Sequence, residues 1–164
     1  MPLELRDPAQ FKALGHPLRH KLLLVLRRQP ATLAQLAAAL DSTKGTIGYH
    51  VRVLEAAGLL RVGGTRQVRG GTEQYYEPTS GGLTLHPDAP VGPEFLVRAA
   101  LDEMVPGGEE TTQLRHIRLT AEQARALAAE LEKLTQRLGD DPTGESYGVL
   151  LSLYRVDIPN IPES

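Results

Sequence analysis

The sequence predicts an α+β fold, mainly α, built from two parts of the 164-residue chain. Apolar residues recur at helical spacing in three short stretches before residue 58, which predicts a cluster of helices. Residues 59–77 alternate strand-like runs with glycine pairs, which is typical of a β-hairpin. Residues 81–92 are rich in glycine and proline and predict a linker. We therefore expect residues 1–80 to form one domain and residues 93–164 a second region.

The net charge of −2 hides an asymmetry between the two halves of the chain. Residues 1–82 carry 11 Lys and Arg against 6 Asp and Glu, a net charge of +5, whereas residues 83–164 carry 7 against 14, a net charge of −7. The basic half predicts a surface for a polyanion, although charges also segregate by chance in small proteins. The chain has no apolar run long enough for a membrane span and no signal peptide pattern, so the default expectation is a cytoplasmic protein. It has no cysteine, which excludes disulfides and thiolate metal sites.

One predicted helix organises the N-terminal domain. It begins at Ser42, whose hydroxyl can cap free backbone N–H groups, and it ends at Gly58, a residue type common just past a helix end. Between them, Ile47, Val51 and Leu54 recur at the spacing of one buried face.

The opposite face of this helix has an unusual composition. It carries Gly45 and Gly48, and a glycine inside a helix costs roughly 1 kcal/mol relative to alanine. The neighbouring side chains are polar or basic: Lys44, Thr46, Tyr49 and Arg52. A face of this kind indicates close approach to a flat, polar partner, and the DNA major groove fits that description. The alternative is an ordinary surface helix that tolerates two glycines.

Three helices are predicted before it, and the first two precede Pro30. Residues 7–14 form a short helix, and Pro17 begins a longer one because its missing N–H is not needed in the first turn. The second helix runs to about Gln29. The basic residues around its apolar stripe, Arg19 among them, are expected to be mostly solvated.

The third helix and the hairpin complete the domain. Thr32 can cap residues 33–40, and a tight connection then leads into the central helix, which gives a helix-turn-helix. Residues 59–62 and 73–77 are the predicted hairpin strands, with a long basic tip between glycine pairs. Beside a helix-turn-helix such a hairpin is a wing. Its arginines could touch phosphates, or they could only solubilise a mobile hairpin.

These segments resemble the winged helix-turn-helix of the ArsR-type bacterial transcriptional regulators. The matching parts are the L-G-H-P-L-R-H-K-L-L opening at residues 14–23, the T-L-A-Q-L-A helix at 32–37, the H-V-x-V-L-E-x-A-G-L segment at 50–59 and the wing, within residues 8–80. The resemblance implies a dimeric winged helix whose usual role is repression released by a metal or small molecule. The lack of cysteines and of a D-x-H pair on a late helix argues against metal sensing.

The resemblance also implies positions for the DNA contacts. The helix starting at Thr43 would enter the major groove, and Arg66 and Arg69 would lie on the wing. His50 matches a histidine that often precedes the last apolar turn of that helix. The predicted DNA-binding residues are Thr43, Lys44, Thr46, Tyr49, His50, Arg52, Arg66 and Arg69.

The second region is predicted as helix, strand, helix and strand. The helices cover residues 94–105 and the stretch from the cap at Thr120 to Gly139, and the strands cover residues 114–119 and 147–156. We interpret this region as a dimerisation unit that could also sense an effector. A leucine stripe on the second helix favours packing on its own sheet, with a subunit contact as the alternative.

No group of residues indicates catalysis, a metal or a cofactor. His16 and His20 are separated by a disrupted turn, and His86 and Asp88 lie in the predicted linker, where an unliganded loop is the simpler interpretation. The sequence therefore predicts a homodimeric repressor that binds a palindromic operator in double-stranded DNA, with a small-molecule effector as a further hypothesis. The alternative is a winged-helix module that binds a protein and has no specific DNA site.

Overall fold

Residues 1–163 are the part of the chain that this computed structural model describes, and they hold ten helices and strands. In chain order these are β1 (Leu3–Leu5), α1 (Pro8–Leu14), α2 (Pro17–Arg28), α3 (Leu33–Ala39), α4 (Lys44–Ala56), β2 (Leu60–Val68), β3 (Gly71–Pro78), β4 (Leu83–Leu85), α5 (Glu94–Glu103) and α6 (Ala121–Arg137). The chain divides into two units at residue 92. Within the described residues, none of the helices has the length and apolar character needed to cross a membrane.

The core of the first unit is built from leucines and isoleucine on α2, α3 and α4. Leu22 and Leu26 of α2 meet Leu36 of α3 and Ile47 and Leu54 of α4, and all five are almost completely buried. Each such side chain contributes roughly 1.5–3 kcal/mol by leaving water. The predicted helical stripes therefore form one core, and this core holds α3 and α4 as a helix-turn-helix.

The structure corrects the predicted N-cap of α4 and confirms the predicted end of the helix. Ser42 is not the N-cap; the cap is Thr43, whose Oγ1 accepts a hydrogen bond from the N–H of Thr46 at 3.2 Å. Ser42 N–H instead donates to the carbonyl of Ala37, which continues the turn out of α3. At the other end Gly58 has φ +75°, and the N–H groups of Gly58 and Leu59 bond back into the last helical turn.

The other predicted helix starts are also observed. Pro17 is the first residue of α2, and the preceding His16 caps it by accepting the Leu18 N–H on Nδ1 at 3.1 Å. Thr32 caps α3 and forms a reciprocal capping box with Gln35.

The wing is longer and its tip shorter than predicted. Strands β2 and β3 pair antiparallel from Leu60 opposite Pro78 to Val68 opposite Gly71, so only Arg69 and Gly70 form the tip. The glycine pair that was expected to break the first strand instead lies at a bulge within β2. A Cβ at Gly63 would lie 2.5 Å from Cδ of Glu77, so this glycine makes room for a cross-strand carboxylate.

The wing is attached to the helices by backbone hydrogen bonds. Ala31, between α2 and α3, exchanges two N–H···O bonds with Tyr76 of β3. At the base of the wing, Thr79 donates from its N–H to the carbonyl of Leu59 and from its hydroxyl to the carbonyl of Gly58. These bonds fix the wing against the end of α4.

Part of the predicted linker is a strand. β4 pairs in parallel with β1, with Leu3 opposite Leu83 and Leu5 opposite Leu85, and Leu5 is fully buried. The interpretation of residues 81–92 as a linker is therefore wrong at β4, since three residues were too short a signal against the surrounding glycine and proline.

The second unit contains the two predicted helices, although α5 ends at Glu103 and α6 at Arg137. As predicted, Thr120 and Gln123 form a capping box at the start of α6. The strands predicted at residues 114–119 and 147–156 are wrong: both stretches lie outside regular structure. A strand requires hydrogen-bonded neighbours, and no backbone hydrogen bond pairs either stretch with other described residues.

Candidate nucleic-acid interface

The outer face of α4 is an exposed, polar surface. Lys44, Thr46, Tyr49 and Arg52 are all exposed, as is Gly45 between them. A Cβ added to Gly45 would meet no atom within 4 Å, so nothing inside this chain requires a glycine there. The surface thus combines side chains that can hydrogen-bond and a point where the helix backbone itself is bare.

Two threonines at the start of this face are coupled. Thr43 is exposed, and its hydroxyl accepts the Thr46 N–H while it donates its own proton to Thr46 Oγ1 at 2.9 Å. Because the Thr43 hydroxyl is used in this way, Thr46 is the member of the pair with a proton left to donate outward.

The second glycine of α4 does not lie on the outer face. Gly48 is buried, and a Cβ there would lie 3.6 Å from Leu33 of α3 and 3.7 Å from Nη1 of Arg52. Its position on the predicted DNA-facing surface is therefore wrong, because the helix rotates this residue towards α3. A Cβ at residue 48 would make ordinary van der Waals contacts there, so the packing of the two helices does not require a glycine.

Arg52 lies on the side of α4 that is near the wing. Burial raises the pKa of the Tyr76 phenol, Glu55 adds to that rise and Arg52 opposes it. Tyr76 is in β3, and its hydroxyl donates to Oε1 of Gln74 at 3.0 Å. Arg52 therefore acts electrostatically on Tyr76 of the wing, while remaining exposed itself.

The arginines of the wing differ in whether a carboxylate of the same hairpin already binds the guanidinium. Arg66 is exposed but bonds the carboxylate of Glu73 at 2.9 Å, and it lies 6.0 Å from the ring centre of Tyr75. Arg61 bonds Glu77 in the same way, at 2.9 Å. Arg69 is exposed at the two-residue tip. Of the predicted wing contacts, Arg69 is therefore the more available cation.

His50 is buried, whereas the seven other predicted DNA contacts are exposed. It is only 8% exposed and points towards α2, where its Nδ1 lies 3.2 Å from Nη1 of Arg19. Because a guanidinium only donates, Nδ1 accepts and the neutral ring carries its hydrogen on Nε2. Its ring packs against His16, with centroids 4.5 Å apart, and against the edge of Tyr49 at 5.1 Å. The His50 ring is thus turned away from the exposed face of α4 in this conformation, and its contact with DNA stays a prediction.

The partner of His50 is a buried arginine. Arg19 was expected on the solvated side of α2, but it is 9% exposed. Its Nε donates to the carbonyl of Ala13, and its Nη2 donates to the carbonyl of Lys12 at 3.1 Å. Arg19 therefore ties the end of α1 to α4 and supports the ring beside Tyr49.

The pKa of His50 gives this cluster a pH dependence. Burial lowers the pKa of His50 below 6.5, and His16 and Arg19 lower it further. Since the unfolded chain binds the proton more readily, folding stability should be complete above pH 6.5 and fall as the pH drops through the lower folded-state pKa. Urea unfolding at about pH 7.5 and about pH 5 should show a larger loss in the wild type than in His50→Asn. An equal loss in both proteins would contradict this assignment.

No metal site is present in the part of the chain that the structure describes, where no group of three or more histidine, aspartate or glutamate side chains could hold an ion. His86 lies 3.8 Å from Glu4 and from Asp88, and its Nδ1 accepts the Asp88 N–H. These contacts stabilise the loop after β4.

Sequence reasoning missed three residues that shape this interface. Arg19 occupies a buried position, and Glu73 and Glu77 hold two wing arginines. A signal for Arg19 was present, because it precedes Leu22, Leu23 and Leu26 at the spacing of a buried stripe.

The first unit is a winged helix-turn-helix: α3 and α4 form the motif, and β2 and β3 form a wing bonded to it. In agreement, residues 14–63 match the helix-turn-helix domain family. The helix-turn-helix predicted from the sequence is thereby confirmed for this segment.

Comparison with solved structures gives remote matches. The homodimeric winged helix-turn-helix DNA-binding domain of Mb0332 from Mycobacterium bovis is 21% identical, with a TM-score of 0.39, over 66% of this chain and 85% of that one. A transcriptional regulator homologue from Pyrococcus horikoshii is 28% identical, with a TM-score of 0.38, over 56% and 86%. The transcriptional repressor BigR from Xylella fastidiosa is 19% identical, with a TM-score of 0.38, over 62% and 86%. No curated protein matches the chain.

Proposed function

We propose that the protein is a sequence-specific DNA-binding transcriptional regulator that acts as a homodimeric repressor. The observation that carries the proposal is the exposed face of α4, where Lys44, Thr46, Tyr49 and Arg52 surround the bare backbone at Gly45. A helix with short polar and basic side chains can enter the major groove and donate to base edges. Repression would be steric, since a bound dimer covers the promoter.

Each recognition element has a separate task in this mechanism. Lys44 and Arg52 are the strongest candidates for base or phosphate contacts, because both carry charge at the exposed face. Arg69 binds the DNA backbone from the wing tip. Arg66 contributes only if a phosphate replaces Glu73 as its partner, so it adds less affinity than its charge suggests. Arg19 and His50 lie on the buried side of α4, where they support the helix and do not contact DNA.

The test is selection of bound sequences from a random pool of duplex DNA at moderate salt. A dimer should recover an imperfect palindrome whose half-sites lie about 10 base pairs apart. Affinity for the selected site should fall linearly with salt on a log–log plot, and Arg69→Ala should reduce the slope by about 2, because each of the two subunits loses one phosphate contact. Recovery of no motif, with weak binding to every sequence, would contradict the proposal.

A protein-binding winged helix is the second candidate. It is favoured by the two wing ion pairs, which neutralise Arg61 and Arg66 and so reduce the positive charge that DNA would meet. Salt separates the two functions, because phosphate binding weakens steeply with ionic strength. The small-molecule effector and the cytoplasmic location stay predictions.

The two glycines of α4 allow a matched test of close approach to DNA. Gly45→Ala and Gly48→Ala should each raise the free energy of unfolding, by up to about 1 kcal/mol, because alanine favours the helix and neither Cβ clashes. Only Gly45→Ala should weaken binding to the selected site, because only that Cβ projects towards the DNA. Thermal melts and fluorescence anisotropy measure the two effects. Unchanged affinity in Gly45→Ala would show that this backbone does not approach DNA closely.

A further inference from the structure

Two cross-strand ion pairs occupy two of the three arginines of the wing. Arg66 lies directly opposite Glu73 in the paired strands, and Arg61 lies directly opposite Glu77. In each pair a guanidinium nitrogen lies 2.9 Å from a carboxylate oxygen. With two glutamates against three arginines, residues 60–78 have a net charge of only +1. The hairpin therefore presents less positive charge than its arginines alone would give.

Both ion pairs lie on one face of the hairpin. Side chains alternate between the two faces of a strand, so Glu73 and Glu77, four residues apart in β3, point to the same side. Their partners in β2 are five residues apart, and the bulge at Gly63 supplies the extra residue that keeps the two arginines in step. Tyr76, on the other face of β3, is buried. The ion pairs therefore occupy the side of the wing that solvent reaches.

The two members of each pair differ in exposure. The side chains of Glu73 and Glu77 are 26% and 29% exposed, whereas those of their arginine partners are 59% and 61% exposed. Tyr75, between the two glutamates on the same face, lies with its ring centre 6.0 Å from the guanidinium of Arg66. Ion pairs this exposed contribute little to folding stability. Their main consequence is for the charge that the wing presents to a partner.

That charge matters most for binding to DNA of arbitrary sequence. Non-specific binding is supplied almost entirely by contacts between cations and phosphates. A guanidinium that holds a carboxylate takes part only by exchanging it for a phosphate, and the exchange needs a phosphate held within hydrogen-bonding distance. A recognition helix docked in its preferred site holds the DNA in one position, whereas a complex that slides along the duplex does not.

We infer that Glu73 and Glu77 are specificity-determining residues, which suppress non-specific DNA binding by holding Arg66 and Arg61. In the specific complex, phosphates replace the carboxylates at little cost, because exposed ion pairs are weak. In non-specific complexes the pairs stay closed, and the wing binds through Arg69 alone. The inference rests on the proposed function and deepens it, since it names the residues that set the ratio of specific to non-specific affinity.

Glu73→Gln tests the inference, because glutamine has the shape of glutamate without its charge. On random-sequence duplex the variant should bind about 10-fold more tightly at about 0.15 M salt, and its salt slope should steepen by about 2, since each subunit of a dimer gains one phosphate contact. On the selected site the gain should be about 3-fold or less with an unchanged slope, because Arg66 already contacts phosphate there. Anisotropy titrations of the full chain at several salt concentrations measure both affinities.

Glu55→Gln is the matched control. Glu55 is an exposed glutamate of α4, so this variant loses the same charge from the same domain without releasing a wing arginine. It should change the two affinities by the same small factor. Glu77→Gln should act like Glu73→Gln, since glutamine keeps the packing beside Gly63.

A second substitution shows whether Glu73 acts through Arg66. In the Arg66→Ala background, Glu73→Gln should raise the affinity for random duplex by about 2-fold or less, because no guanidinium is released. An equal gain in both backgrounds, or an equal gain on random duplex and on the selected site, would mean that Glu73 acts only as a negative charge, which overturns the inference.

The same data separate the inference from the proposed function. A selected motif together with equal gains overturns the inference and leaves the proposed function standing. A gain on random duplex that requires Arg66, in a protein that selects no motif, overturns the proposed function, while the suppression of non-specific binding by Glu73 stands.

Discussion

Replacing Arg52 by alanine should weaken binding to the selected DNA site by about 1–3 kcal/mol, which is about 5- to 150-fold. The side chain is exposed, it is charged, and it lies on the side of α4 that is close to the wing. A guanidinium at that position can form two parallel hydrogen bonds to a guanine edge or to a phosphate. If it contacts a base, the loss should be greatest for the preferred base pair at one position of the half-site. If it contacts phosphate, the loss should be uniform across sequences and the salt slope should fall.

The control for this result is Arg125→Ala. Arg125 is an exposed helical arginine in α6, outside the winged helix-turn-helix, so its removal changes the net charge equally. Anisotropy titrations at two salt concentrations should show a small change for this variant. If Arg52→Ala leaves both the affinity and the sequence preference unaltered, α4 does not read DNA through this residue.

The helices and the wing were predictable because their signals are local. Caps such as Thr32, the proline at the start of α2, and Gly58 with its positive φ act within one helical turn. The continuation of β2 through its glycines was not predictable in the same way. The strand partner of these glycines includes Glu77, which lies across the strand pair and occupies the space beside Gly63, and such a cross-strand neighbour is not a local signal.

The polar residues inside the first unit were misassigned for a related reason. His50 follows Ile47 by three residues and precedes Leu54 by four, so it belongs to the buried stripe of α4 by spacing. Residue type outweighed spacing at Arg19, since arginine usually faces solvent. At His50 the family resemblance outweighed spacing. Arg19 and His50 can be buried because the guanidinium of one donates a hydrogen bond to the ring nitrogen of the other. That contact joins positions 31 residues apart.

The strands predicted in the second unit illustrate a different limit of prediction from sequence. Residues 147–156 have the composition and alternation of a strand, but secondary structure of this kind is a property of a pair. No neighbour is bonded to the segment in the described chain, so the pattern has no ladder to complete.

Removal of the buried arginine should be the largest single loss of stability among the polar residues. Arg19→Ala should lower the free energy of unfolding by about 2–4 kcal/mol, because hydrogen bonds to a charged donor are worth about 1.5–3 kcal/mol and unpaired buried acceptors add a further cost. The acceptors left behind are the carbonyls of Lys12 and Ala13 and the Nδ1 of His50. Urea unfolding followed by far-ultraviolet circular dichroism measures the change.

Arg19→Lys separates charge from geometry in the same assay. Lysine keeps the positive charge but cannot reach three acceptors from one planar group, so it should recover less than half of the loss. Arg27→Ala is the matched control, because Arg27 is an exposed arginine of the same helix and its removal should change stability by about 0.5 kcal/mol or less. Full recovery by lysine would mean that charge alone is needed at residue 19. An Arg19→Ala protein as stable as Arg27→Ala would mean that the bonds from Arg19 to α1 and to His50 do not hold the recognition helix in place.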